Sequence, residues 1–120
     1  MKVVNLTKRP LVVYDVHGSP VELLPDPRHI GIVAVGDHQT IRDENGAALS
    51  INVRRVSEIK GMPEPDGNTL FVVPVEVAMV LQQSRDDIVF PSEPEVVAGP
   101  NGSPRSITHL RRIVVSRRAE

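Results

Sequence analysis

The sequence predicts a mostly β, α+β domain: a small antiparallel β-barrel or sandwich with one short helix near residues 74–83. Three observations carry this. The apolar residues are mainly valine, isoleucine and leucine, with Tyr14, Phe71 and Phe90 the only aromatics, and β-branched side chains suit a pleated sheet. Eleven prolines and eight glycines cut the chain into pieces too short for long helices. In Leu49-Ser50-Ile51-Asn52-Val53-Arg54 apolar and polar residues alternate with period two, which gives a strand one dry face and one wet one.

Taken in order, Lys2 to Leu6 reads as a first strand with Val3 and Val4 on opposite faces. Thr7-Lys8-Arg9-Pro10 turns or bulges the chain, Leu11 to Asp15 resumes as a second strand, and His17-Gly18-Ser19-Pro20 is a turn into a third, Val21 to Leu24. Lys2 to Leu24 is thus expected to be a meander of antiparallel neighbours. Ile30 to Val35 is a fourth strand, interrupted at Gly36-Asp37. His38 to Arg42 and Ala47 to Val56 then flank Asp43-Glu44-Asn45-Gly46, and the Asn-Gly pair supplies the positive-φ residues of a tight hairpin.

Gly61 to Asn68, with Pro63 and Pro65, is the most loop-like passage, and long exposed connections carry function more often than strands do. Met62, Pro63, Glu64 and Pro65 are accordingly interaction-loop candidates. Thr69 to Pro91 is the longest apolar stretch. Leu70 to Val73 reads as a strand buried on both faces. Pro74 stops it and suits the first position of a helix, where its missing N–H costs nothing. The helix runs over Pro74 to Gln83, Ile88 to Phe90 returns as a strand, and Pro91 ends it. Glu95 to Ala98 is an edge strand, 99–104 a wide turn, and Arg105 to Ser116 the last strand, with a β-bulge at Arg111-Arg112 where its apolar pattern falls out of step.

At 120 residues the chain has the size of one domain, spanning 1–120. The absence of cysteine excludes disulfides, thiolate catalysis, cysteine-based zinc and iron–sulfur clusters, and makes the cytoplasm the expected compartment. No run approaches the roughly 20 apolar residues of a membrane span. With 14 basic and 15 acidic residues the net charge is −1, so no whole-molecule field attracts nucleic acid or anionic lipid.

Several short motifs resemble a family of small uncharacterised proteins of bacteriophages and actinobacteria. The matches are Asn5, Leu6, Thr7, Pro10, Tyr14 and Asp15 near the start, Gly61-Met62-Pro63, Phe71-Val72-Val73 with Val77-Ala78, Arg85-Asp86-Asp87, and Pro91. Lys8-Arg9 stand where the family has Pro-His, Pro74 where it has Ser, and Ser92 where a Gly follows the proline. The resemblance implies a phage or high-GC bacterial origin, with the host bacterial cytoplasm as the setting, and a compact, mostly β domain. It carries no established activity.

His17, His29, His38 and His109 lack the paired spacing of metal ligands, so no metal or other cofactor is expected. Asp86 and Asp87 are adjacent and would point to opposite faces, which suits an ion pair with Arg85 better than a shared proton. No phosphate loop, nucleophile elbow or dinucleotide fingerprint is present. A non-enzymatic interaction protein is therefore expected, binding a host protein or itself as a homo-oligomer. Two alternatives remain open. Lys8, Arg9, Arg54 (with Arg55), Arg111 and Arg112 would capture an anionic small molecule such as a nucleotide if the first, fifth and last strands lie side by side. The basic C-terminal strand would bind nucleic acid weakly.

Overall fold

The computed structural model describes residues 1–114. The chain is mostly β with one short helix. It divides into two compact units: Met1–His29 together with the chain from Pro63 onward, and Ile30–Met62.

The first unit is built on a four-stranded sheet of order β1 (Lys2–Asn5), β6 (Thr69–Val72), β7 (Ile88–Pro91), β10 (Leu110–Arg111). Two of its three pairings, β1 with β6 and β6 with β7, are parallel; only β10 with β7 is antiparallel. Parallel neighbours need a crossover of a dozen or so residues, usually through a helix. Here 73–87 supply it, carrying α1 (Val75–Leu81), which packs on β7. Parallel strands are typically buried on both faces: Phe71, Val72 and Val73 are buried, as are Ile88, Val89 and Phe90. Val77 and Ala78 of α1 are buried too. On one side Leu11, Val72 and Val89 form a cluster joined by Leu23, Leu70 and Leu110.

Two antiparallel ribbons complete this unit, β2 (Leu11–Tyr14) with β3 (Pro20–Leu23) and β8 (Glu95–Ala98) with β9 (Pro104–Ile107). The expected meander is corrected at its first step, because β1 pairs in parallel with β6 and leaves β2 to pair with β3. The sheet is thus mixed where an antiparallel one was expected, and no closed barrel forms among the described residues. The expected last strand is two. It breaks at Thr108–His109, so β9 pairs with β8 and β10 with β7. That break, rather than a bulge at Arg111-Arg112, puts the apolar pattern out of step. Residues 115 and 116 of that expected strand, and the basic Arg117 and Arg118 that follow it, lie outside the described residues. The helix is shorter than expected, and Pro74 is its N-cap (φ −59°, ψ 151°), its carbonyl accepting the Ala78 N–H at 3.0 Å.

The second unit is a hairpin of β4 (Gly31–Arg42) and β5 (Ala48–Lys60). Gly36-Asp37 does not interrupt β4; the pairing runs unbroken from Arg42↔Ala48 to Ala34↔Val56 and shifts register once, between Val33 and Ala34.

Candidate functional site

Several of the short motifs singled out in the sequence build the scaffold. Asn5 is buried, and its side-chain amide donates to the carbonyls of Arg9 and Leu23, both at 2.9 Å. Its oxygen accepts the Thr7 N–H at 2.9 Å and the Thr7 hydroxyl at 2.6 Å. With two donors and an acceptor all engaged, it ties the end of β1 to the following loop and to the end of β3. Tyr14-Asp15 leads into a turn that Asp15 organises. Arg85 forks onto Asp87 (Nε to Oδ1 2.9 Å, Nη2 to Oδ2 2.7 Å) and donates through Nη1 to the Pro63 carbonyl at 2.8 Å. Its guanidinium also lies 5.6 Å from the Phe71 ring centroid. Arg85, Asp87, the Pro63 carbonyl and Phe71 of the central strand are therefore one assembly. The hydrogen bonds and positive charge of Arg85 hold the Asp87 carboxyl below its ordinary range, a charge-assisted bidentate pair of the strong kind.

Two further positions are set locally. Lys8 has φ 70°, a left-handed conformation that non-glycine residues adopt uncommonly. Ser92 accepts the His109 N–H on its hydroxyl at 3.0 Å, while its carbonyl accepts the buried Thr108 hydroxyl at 2.7 Å.

The predicted anion site is not assembled by the sheet. β1 and β10 form opposite edges of the four-stranded sheet, about 14 Å apart at ordinary strand spacing, and β5 pairs with β4 alone. Lys8 and Arg9 lie on the exposed loop after β1, Arg9 beside a cleft of about 240 Å³ shared with Pro94 and Ser106. Arg111 is on β10 and Arg112 just beyond it, where Arg112 lines an open cavity of about 780 Å³ with Ser84, Arg85, Asp86 and Ile113. Arg54 and Arg55 are on β5. In the expected interaction loop Glu64 and Pro65 are exposed, whereas Met62 and Pro63 are half-buried and Arg85 holds the Pro63 carbonyl. Among the described residues no three His, Asp or Glu side chains gather as metal ligands.

What the sequence pattern does not reveal is the state of the hairpin surface. Opposed residues of an antiparallel pair share a face. One face carries, from the tip, Ile41 with Leu49, Gln39 with Ile51, Asp37 with Val53, Val35 with Arg55, and Val33 with Glu58. The alternation of Leu49, Ile51 and Val53 does mark this face, as the expected dry side of the strand. In the structure it is the open side: Val35 is 64% exposed, Ile41 48% and Leu49 45%, and Val33 and Ile51 are exposed as well. The opposite face is apolar where Ile32 pairs with Ile59 and Ala34 with Val56, all half-buried, and polar toward the tip at His38, Asn52, Thr40 and Ser50.

In comparisons with known proteins, no family model, curated protein or solved structure matches the chain.

Proposed function

We propose that this protein is a non-enzymatic interaction module, and that the β4–β5 hairpin is its contact surface. The supporting observation is the exposed apolar face. Five large aliphatic side chains, Val33, Val35, Ile41, Leu49 and Ile51, lie along one side of a single two-stranded ribbon and are open to solvent. Contiguous exposed apolar surface marks contact sites, and a two-stranded ribbon without a covering layer is only marginally stable in water. Contact with a macromolecule removes both penalties. The partner classes are a host protein, in keeping with the bacteriophage resemblance, and a second copy of the chain. The anion-sequestering reading has less support, since the strands it needs side by side, β1, β5 and β10, are not neighbours in a sheet, and the nucleic-acid reading rests on the basic C-terminal stretch alone, part of which lies outside the described residues.

A photocrosslinking amino acid placed at Ile51, in an extract of the cells that express the protein, tests this reading. The same group at Glu22, exposed on β3, serves as control. A discrete adduct from position 51 that the control lacks is the expected result. Equal, diffuse labelling from both positions would remove the hairpin as a contact surface.

A further inference from the structure

We infer that the occupant of the hairpin face is the same face of a second copy, the two packed about a two-fold axis. This rests on the hairpin being the contact surface. The charges on the face single out a copy. Asp37 and Arg55 occupy adjacent rows, Asp37↔Val53 and Val35↔Arg55, on opposite strands of one face, so they are diagonal neighbours flanked by Val53 and Val35. A two-fold axis through the centre of these four residues brings Asp37 of each copy toward Arg55 of the other. It forms the same unlike-charge contact twice, as an isologous interface requires. Further along the face Glu58 and Lys60 continue the balance, two acidic against two basic residues in all. The face therefore presents no net charge for a strongly acidic or basic partner to recognise, and it complements itself.

Size sets the strength. Twelve paired positions make a ribbon about 40 Å long, roughly 10 Å wide with its side chains, so each copy covers on the order of 400 Å² in projection. That is at the low end for specific interfaces. The dimer is accordingly a weak, concentration-dependent one.

Sedimentation across a concentration series up to several hundred micromolar, with the whole chain, tests the inference through charge reversal. Wild type should pass from monomer to dimer. Asp37→Arg alone opposes two guanidinium groups at each crossed contact, and Arg55→Asp alone opposes two carboxylates there, so each should weaken self-association by on the order of 10–100-fold. Mixed one to one, the two variants should recover a dimer of near wild-type affinity, because each like-charge contact of the single variants is replaced by pairing within the mixed dimer that brings unlike charges together. Glu22→Arg, a charge reversal on β3, should self-associate as wild type does. A strictly monomeric wild type, single variants that dimerise unchanged, or a mixture that stays monomeric would each overturn the inference. The crosslinking experiment separates the two levels. An adduct of twice the chain mass supports the copy, an adduct with a different protein overturns the copy but keeps the contact surface, and no adduct removes both.

Discussion

Asn5 and Arg85 are polar side chains that act as internal ties, and their chemistry decides what replacing them does. Asn5→Ala removes the partners of two carbonyls and of the Thr7 N–H together, and should cost about 2 kcal/mol in a denaturant titration. Asn5→Asp should cost at least as much despite its nearly identical shape, because a carboxylate keeps the Thr7 contacts but faces the Arg9 and Leu23 carbonyls with no hydrogen to donate. A variant as stable as wild type would show that these contacts carry nothing. For Asp87 the direction of the pKa shift fixes the sign of the pH effect. Its pKa is lowered in the folded chain, chiefly by the Arg85 hydrogen bonds. The pair's contribution is therefore full above the ordinary carboxylate pKa of 3.8 and drains away as pH falls below it toward the folded value. Asp87→Asn should thus be less stable than wild type at neutral pH and should lose less stability between about pH 5 and pH 2. Melting temperatures across that range give the comparison, and parallel acid limbs for the two proteins would contradict it.

At the scale of elements, two hairpin turns share one construction written in the sequence as Asp-x-x-Gly-x. In 15–19 the Asp15 carboxylate accepts the N–H groups of His17 and Ser19, the Gly18 N–H reaches the Asp15 carbonyl, and Gly18 has φ 79°. In 43–47 Asp43 does the same for Asn45 and Ala47, with Gly46 at φ 85°. Only the glycine takes positive φ; Asn45 does not, so the expected hairpin turns through a loop in which the glycine alone supplies the positive φ expected of the Asn-Gly pair and the aspartate side chain takes part. Alanine at either glycine meets open space but a backbone conformation that L-residues resist, at a cost of about 1 kcal/mol. The two substitutions should nonetheless read out differently. Gly18→Ala joins strands packed on the Leu11 cluster and should lower the global melting midpoint. Gly46→Ala should instead speed amide exchange along β4 and β5 with little change in that midpoint. A common response to both would mean the hairpin unfolds with the rest.

Over the whole molecule, burial divides the chain unevenly. The fully buried side chains Leu6, Ile88, Val72, Val73 and Val77 all belong to the first unit, whereas most of β4 and β5 is exposed. Stability should follow the same division. In solution dilute enough to keep the proposed dimer apart, the amides of Phe71 and Val73, bonded to the carbonyls of Asp87 and Val89, should exchange slowest and those of the hairpin fastest. At high concentration the hairpin amides should slow selectively if its face is covered by a copy. Uniform protection throughout would contradict both the division and the contact surface.

The sequence by itself determined most of the elements. β-branched runs bounded by proline and glycine place β2, β3, β6, β7 and β8 within a residue or two, and Pro74 fixes where the crossover begins, because these signals depend on neighbours along the chain. It also determined that Arg85 meets a neighbouring aspartate. Only the tertiary structure decided that β1 lies parallel beside β6, that the last strand divides between two partners, and that β1 and β10 end on opposite edges of a sheet. Strand partners are chosen by contacts between residues distant in sequence, on which local pattern is silent. It also decided that the alternating face of Leu49 and Ile51 is open to solvent. Period two records that a face is apolar; whether anything covers it depends on what the rest of the fold, or a second molecule, lays against it.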